Sequence, residues 1–113
     1  MKTLALTLLF LTEVTSNANV PQTGMASWYD KENRISSTGK VLRHNAPALA
    51  HRTLPIGTWV KVTDTKTRRS VVAVVADRGP YIRGRIVDLN KPAAKKLGII
   101  KSGVAKVSVE KIK

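Results

Sequence analysis

This 113-residue chain contains no cysteine, so its fold cannot rest on disulfides, and a thiolate metal site or an N-terminal lipidated cysteine is excluded. Acids are also scarce, with seven Asp and Glu against twenty Lys and Arg, a net charge of +13. Any chemistry based on carboxylates has few residues to draw on. Aromatics are limited to Phe10, Trp28, Tyr29, Trp59 and Tyr81. No repeat or low-complexity tract occurs, and two histidines with scattered acids give no metal-ligand spacing. The longest apolar run, Leu4 to Leu11, is too short to span a bilayer comfortably.

That run follows Lys2 and precedes small residues, the pattern of a secretory signal over residues 1–18. Its removal would take away Lys2 and Glu13 and leave the net charge unchanged. A basic protein favours polyanionic partners: nucleic acid, anionic lipid or an acidic wall polymer. Export points to the wall and away from nucleic acid. Residues 19–23 read as a linker and 24–113 as one domain.

Within that domain, Gly24 to Tyr29 alternates as a strand, and Asp30 to Lys40 reads as a polar loop. Val41 to Pro47 has room for a helical turn. Ala48 to His51 reads as a short strand, and Thr58 to Thr63 alternates strongly, with Trp59 expected in the core. Asp64 to Arg68 is a turn, followed by the β-branched run Arg69 to Ala76. Asn90 to Leu97 predicts a short helix, with Asn90 as N-cap, Pro92 in the first turn and Gly98 at its end. Val104 to Val109 is a closing strand. Short strands with one short helix, in about ninety residues, indicate a compact barrel whose closure removes exposed edges.

The apolar run Val71 to Ala76 drives directly into Asp77, just ahead of Gly79-Pro80. A charged residue at a strand end before such a turn is where a β scaffold presents reactive groups. The other side of that reading is an Asp that merely orders the turn.

These residues, taken in order, resemble a known family. Gly24-Met25-Ala26-Ser27-Trp28-Tyr29 comes first, then Ser37-Thr38-Gly39, then Ala50-His51-Arg52-Thr53-Leu54-Pro55-Ile56-Gly57-Thr58. Asp77-Arg78-Gly79-Pro80-Tyr81 follows, then Gly84-Arg85-Ile86-Val87-Asp88-Leu89 and Gly103-Val104-Ala105-Lys106-Val107. The series resembles the RlpA-like (rare lipoprotein A) domain. The resemblance implies a mostly β, six-stranded double-psi β-barrel of expansin and barwin type with one or two short helices. It also implies an endolytic lytic transglycosylase acting on peptidoglycan glycan strands without cofactor, metal or nucleic acid. The family's lipid-attachment Cys and C-terminal peptidoglycan-binding module have no counterpart in this sequence, so a soluble, monomeric, exported form without a stable membrane anchor is expected.

The reaction implied is the cleavage of a MurNAc–GlcNAc bond with formation of 1,6-anhydroMurNAc. One carboxyl first acts as acid and then as base. The resemblance assigns that role to Asp77 and a supporting catalytic role to His51. Tyr81, Arg78, Trp28, Tyr29 and Asp30 are the expected substrate-binding residues, and Asp30 with Asp77 is an alternative two-carboxylate hydrolase pair. Asp88 is expected to cap the helix or pair with an Arg. The chain departs from the family at Lys40 and Arg43, which stand where Glu and Asp or Asn are usual. Cations there would invert the local potential or bind substrate carboxylates, and they favour the rival reading of a non-catalytic, expansin-like peptidoglycan-binding module.

Overall fold

The computed structural model describes residues 20–30 and 46–113. The signal expected over 1–18, the polar loop through Lys40, and the cations Lys40 and Arg43 lie outside the described residues. So does most of the Val41 to Pro47 stretch.

Among the described residues, six strands and one helix follow in order: β1 (Gln22–Tyr29), β2 (Ala48–Ala50), β3 (Trp59–Asp64), β4 (Ser70–Asp77), β5 (Arg85–Asn90), α1 (Lys91–Leu97) and β6 (Val104–Lys111). They form a closed barrel in the order β1-β5-β2-β4-β3-β6. Two pairs, β1 with β5 and β2 with β4, run parallel, and the other pairs are antiparallel. Closure leaves no free sheet edge, which suits a chain with no disulfide.

Alternation decides which side chains fill the barrel. Val60 and Val62 of β3, Val71, Ala73 and Val75 of β4, Val87 and Leu89 of β5, and Val107 and Val109 of β6 all join one buried core. Leu49 of the short strand β2 and Ala26 of β1 complete it. Branched, mid-sized side chains suit a six-stranded interior, which is too narrow for rows of aromatics. Each buried Val or Leu contributes about 1.5–3 kcal/mol. Helix α1 adds Ala93, Ala94 and Leu97 to the same core.

Local chemistry fixes the ends of the elements. The Asn90 Oδ1 accepts the Ala93 N–H at 3.0 Å as the N-cap of α1, and Gly98 ends the helix at φ 84°. In the β3–β4 turn, Asp64 Oδ1 accepts the N–H groups of Lys66 (2.8 Å) and Thr67 (3.2 Å).

Two expectations need correction, and one strand was not expected. β1 starts at Gln22, so Gln22 and Thr23 belong to the barrel rather than to a linker. Trp59 is 43% exposed on the outer face of β3 and not in the core, because the alternation that buries Val60 and Val62 turns it outward. The strand β5 carried no prediction: charged Arg85 and Asp88 interrupt its short apolar pattern, and only pairing between β1 and β2 makes it a strand.

Candidate functional site

Both parallel pairs contain a bulge, and one of them aims Asp77. Along β2 and β4 the register runs Ala48 with Val74, Leu49 with Val75, and then Ala50 with Asp77, leaving Ala76 as the extra residue. In a regular register Ala76 would stand opposite Ala50, and Asp77 would continue the inward series of Val71, Ala73 and Val75. The bulge sets Asp77 instead on the side of the sheet opposite to Leu49. Its flank continues across β5 and β1: Ala50 pairs with Asp88, and Asp88 with Ser27. A lateral row thus reads Asp77, Ala50, Asp88, Ser27. The two Asp residues stand two strands apart, about 10 Å between backbones, with Ala50 between them in the row.

Asp88 is firmly held. Its Oδ1 accepts the Ser27 hydroxyl at 2.6 Å and pairs with the Arg85 guanidinium at 2.5 Å, with both ionic side chains about three-quarters buried. The expected Arg partner is therefore Arg85, and the helix cap is Asn90. Asp77 is 7% exposed, and its Oδ1 accepts the Arg78 backbone N–H at 2.8 Å.

His51 lies directly behind Asp77. Its Nδ1 accepts the N–H groups of Thr53 (3.1 Å) and Leu54 (3.0 Å), so that nitrogen carries no proton. The hydrogen sits on Nε2, which donates to Gln22 Oε1 at 2.9 Å. Burial, and then the charges of Arg52 and Arg78, hold the His51 pKa below its ordinary 6.5. The ring is a neutral brace for the 51–54 turn, with both nitrogens occupied.

Arg78, expected to touch substrate, points Nη1 at the carbonyl oxygens of His51 (2.9 Å) and Leu54 (2.7 Å). It clamps the same turn against β4. Tyr81 is 76% exposed and Ile82 56% exposed, on the loop that leaves Asp77 through Gly79 (φ 117°).

The remaining expected residues lie elsewhere. Trp28 packs against the barrel core, which gives it a packing role there. Tyr29 pairs in register with Asn90, two residues further along β1 from the row that contains Ser27. Asp30 is exposed and sits 3.6 Å from Lys91 Nζ. Asp30 follows the end of β1, which stands three places from β4 around the six-stranded barrel. Asp30 and Asp77 do not share a row, since the row of Asp77 reaches β1 at Ser27. Among the described residues, no group of three His, Asp or Glu side chains is placed to hold a metal ion.

Residues 21–109 match the family described as lytic transglycolase. The chain belongs to the RlpA-like lytic transglycolase family. Curated relatives carry the name endolytic peptidoglycan transglycosylase RlpA. The Neisseria meningitidis serogroup A protein is 46% identical over 97 residues, covering 84% of this chain and 41% of the relative. The Vibrio cholerae protein is 43% identical over 93 residues, covering 80% of this chain and 35% of the relative. This chain therefore spans well under half the length of the relatives it matches. The barrel also resembles an expansin of Clavibacter michiganensis, with a TM-score of 0.68 and 20% identity over 83% of this chain and 51% of that one. A Streptomyces papain inhibitor aligns with a TM-score of 0.66 and 20% identity, over 83% of this chain and 96% of that one. Those two likenesses speak for the shared double-psi barrel alone.

Ser27, Arg85 and Gln22 were not singled out in the sequence for the contacts that they make. No local signal marks Ser27 or Gln22, because each meets its partner through a pairing that joins distant parts of the chain, whereas Arg85 meets Asp88 three residues along the same strand.

Proposed function

We propose that this chain is an endolytic peptidoglycan lytic transglycosylase, exported from the cytoplasm and working as a monomer on glycan strands, with Asp77 as the acid and base. The observation that carries the reading is the bulge at Ala76, which presents Asp77 on one row with Ala50 and Asp88 in a chain of this family. The names of the RlpA relatives supply the substrate class.

In this reading Asp77 begins protonated and delivers its proton to the oxygen of the MurNAc–GlcNAc bond. That bond breaks, and positive charge develops at C1 of MurNAc. The resulting carboxylate takes the proton of the MurNAc C6 hydroxyl as its oxygen bonds C1, closing the 1,6-anhydro ring. The proton returns to Asp77, so no water is consumed. Asp88, fixed by Arg85 and Ser27, lines the path of the glycan on the far side of Ala50. Tyr81 stacks on a sugar ring beside the reacting bond, and Tyr29 and Asp30 mark the far flank of the path. His51 and Arg78 position Asp77 through the 51–54 turn.

The test is digestion of purified sacculi by the protein and by its Asp77→Asn variant, with products read by mass spectrometry. Anhydro-ended glycans from the unmodified protein alone are expected. A second reading, a non-catalytic binding module, is favoured by the cations Lys40 and Arg43 at usually acidic or polar positions. It predicts sacculus binding by both proteins and no product.

A further inference from the structure

Positive charge is concentrated at a place far from Asp77. Lys66, Arg68 and Arg69 lie exposed on the β3–β4 turn, Lys95 and Lys96 on the last turn of α1, and Lys106 on β6. Tertiary contacts bring these three segments together. Arg69 Nη2 donates to the Lys96 carbonyl oxygen at 3.3 Å. The Thr65 N–H and hydroxyl both donate to the Lys106 carbonyl oxygen, at 3.0 and 3.2 Å. The turn itself is rigid, because Asp64 Oδ1 holds the N–H groups of Lys66 and Thr67, and Arg68 N–H bonds back to the Asp64 carbonyl oxygen at 2.9 Å.

Asp64 is the one acid of this turn; it is 6% exposed and engaged with that backbone. Among the described residues, none of the six cations has an ion-pair partner. Two of them are favourable at the helix C-terminus, where the dipole is negative. That does not account for the four brought beside them from the turn and from β6. Six like charges held together by the fold repel one another, and the repulsion is relieved by a polyanion.

The chemistry of the patch narrows the partner. The turn reads Thr65-Lys66-Thr67-Arg68-Arg69-Ser70, with no apolar or aromatic side chain to enter a lipid interface or stack on a base. Such a surface suits a hydrated polymer with spaced carboxylates. The eight residues of β4 from Ser70 to Asp77 place it about 20 Å from the candidate site.

We propose that this basic cap is a second, non-catalytic binding site for the ionised stem-peptide carboxylates of peptidoglycan. It holds the protein on the sacculus while the Asp77 end engages a glycan strand. The identity of the partner rests on the function proposed above; the existence of a polyanion site does not.

The experiment is co-sedimentation with sacculi, intact or stripped of their free stem-peptide carboxylates by carbodiimide coupling to a neutral amine, at low and high NaCl. The full chain carrying Asp77→Asn, which prevents digestion, is compared with the same chain also carrying Lys66→Gln, Arg68→Gln, Lys95→Gln and Lys96→Gln. Arg69 is kept because it bonds Lys96. A charge-keeping variant, with Lys66→Arg, Arg68→Lys, Lys95→Arg and Lys96→Arg, controls for folding, as do thermal melts of all three. Retention on intact sacculi at low salt should fall about tenfold with the neutralised cap and stay with the charge-keeping one. High salt should remove the difference, and stripped sacculi should show none. Equal retention of neutralised and parent proteins on intact sacculi overturns the proposal, as does an equal loss on stripped sacculi. Tighter binding of the parent to anionic vesicles or duplex DNA than to intact sacculi overturns the choice of partner. Anhydro product from the protein with Asp77 intact is measured separately, so failure of the cap and failure of the catalytic reading are told apart.

Discussion

The backbone N–H of His51 donates to the carbonyl oxygen of Asp77 at 3.1 Å. This bond extends the parallel β2–β4 pairing one step past the bulge, and it joins the 51–54 turn to the proposed acid. The His51 ring holds that turn from inside, and the Arg78 guanidinium holds it from outside. Asp77 is therefore placed by neighbours that need not touch substrate themselves.

Replacing Asp77 by Asn keeps an oxygen to accept the Arg78 N–H and removes the proton-transfer group. Anhydro-muropeptide release should fall about a hundredfold or more, the range for loss of a general acid or base. Circular dichroism and the melting temperature should stay close to those of the unmodified protein. Retained activity would dismiss Asp77 as the acid.

His51 predicts a pH dependence of stability. Its pKa lies below 6.5 in the folded chain, whereas the unfolded chain binds the proton at the ordinary value. The unfolded state therefore gains protons first as the pH drops. Stability is fully present above about pH 6.5 and is lost as the pH falls through the lower folded value. In His51→Gln that portion of the acid-side loss should vanish, as read by urea midpoints between about pH 7 and pH 4. An unchanged profile would show that His51 is not the titrating group.

Tyr81 and Trp28 should behave oppositely. Tyr81→Ala removes a ring that is 76% exposed, so stability should change by no more than about 0.5 kcal/mol while KM for glycan rises. Trp28→Ala empties space against the core and should cost about 3 kcal/mol or more. Denaturant unfolding and steady-state kinetics on solubilised glycan separate the two effects.

Asn90 makes three bonds from one side chain. Oδ1 accepts from Ala93 N (3.0 Å) and Ala48 N (3.1 Å), and Nδ2 donates to the Ala46 carbonyl oxygen at 2.6 Å. It caps α1 and ties the start of β2 to the end of β5. Asn90→Ala should cost about 2–4 kcal/mol, whereas Asn90→Asp should recover part of it by keeping the acceptor. Equal losses for the two would place the effect outside the cap.

Gly24 lies under the extra residue of the other bulge. A Cβ there would fall 2.6 Å from Ile86 Cγ2 and 3.3 Å from the Gly84 carbonyl oxygen. Gly24→Ala should destabilise by about 1–3 kcal/mol. Combining it with Ile86→Ala should give less than the sum of the single losses, since the clashing methyl is then gone.

Local pattern made much of this protein legible in its sequence. Alternation in Thr58 to Thr63 and Arg69 to Ala76 marked two strands, Asn90 with Pro92 and Gly98 marked the helix, and the ordered motifs around His51 and Asp77 marked the family. Each signal acts between neighbours, where propensity and capping operate. The order β1-β5-β2-β4-β3-β6 was decided by tertiary structure, and with it the strand character of Arg85–Asn90. So were the bulge that sets Asp77 on one row with Asp88, the tie of Gln22 to His51, and the gathering of Lys66, Lys96 and Lys106 at one end. All of these come from pairing between segments far apart in the chain. Such pairing depends on closing one barrel around one core, and no window of sequence contains it.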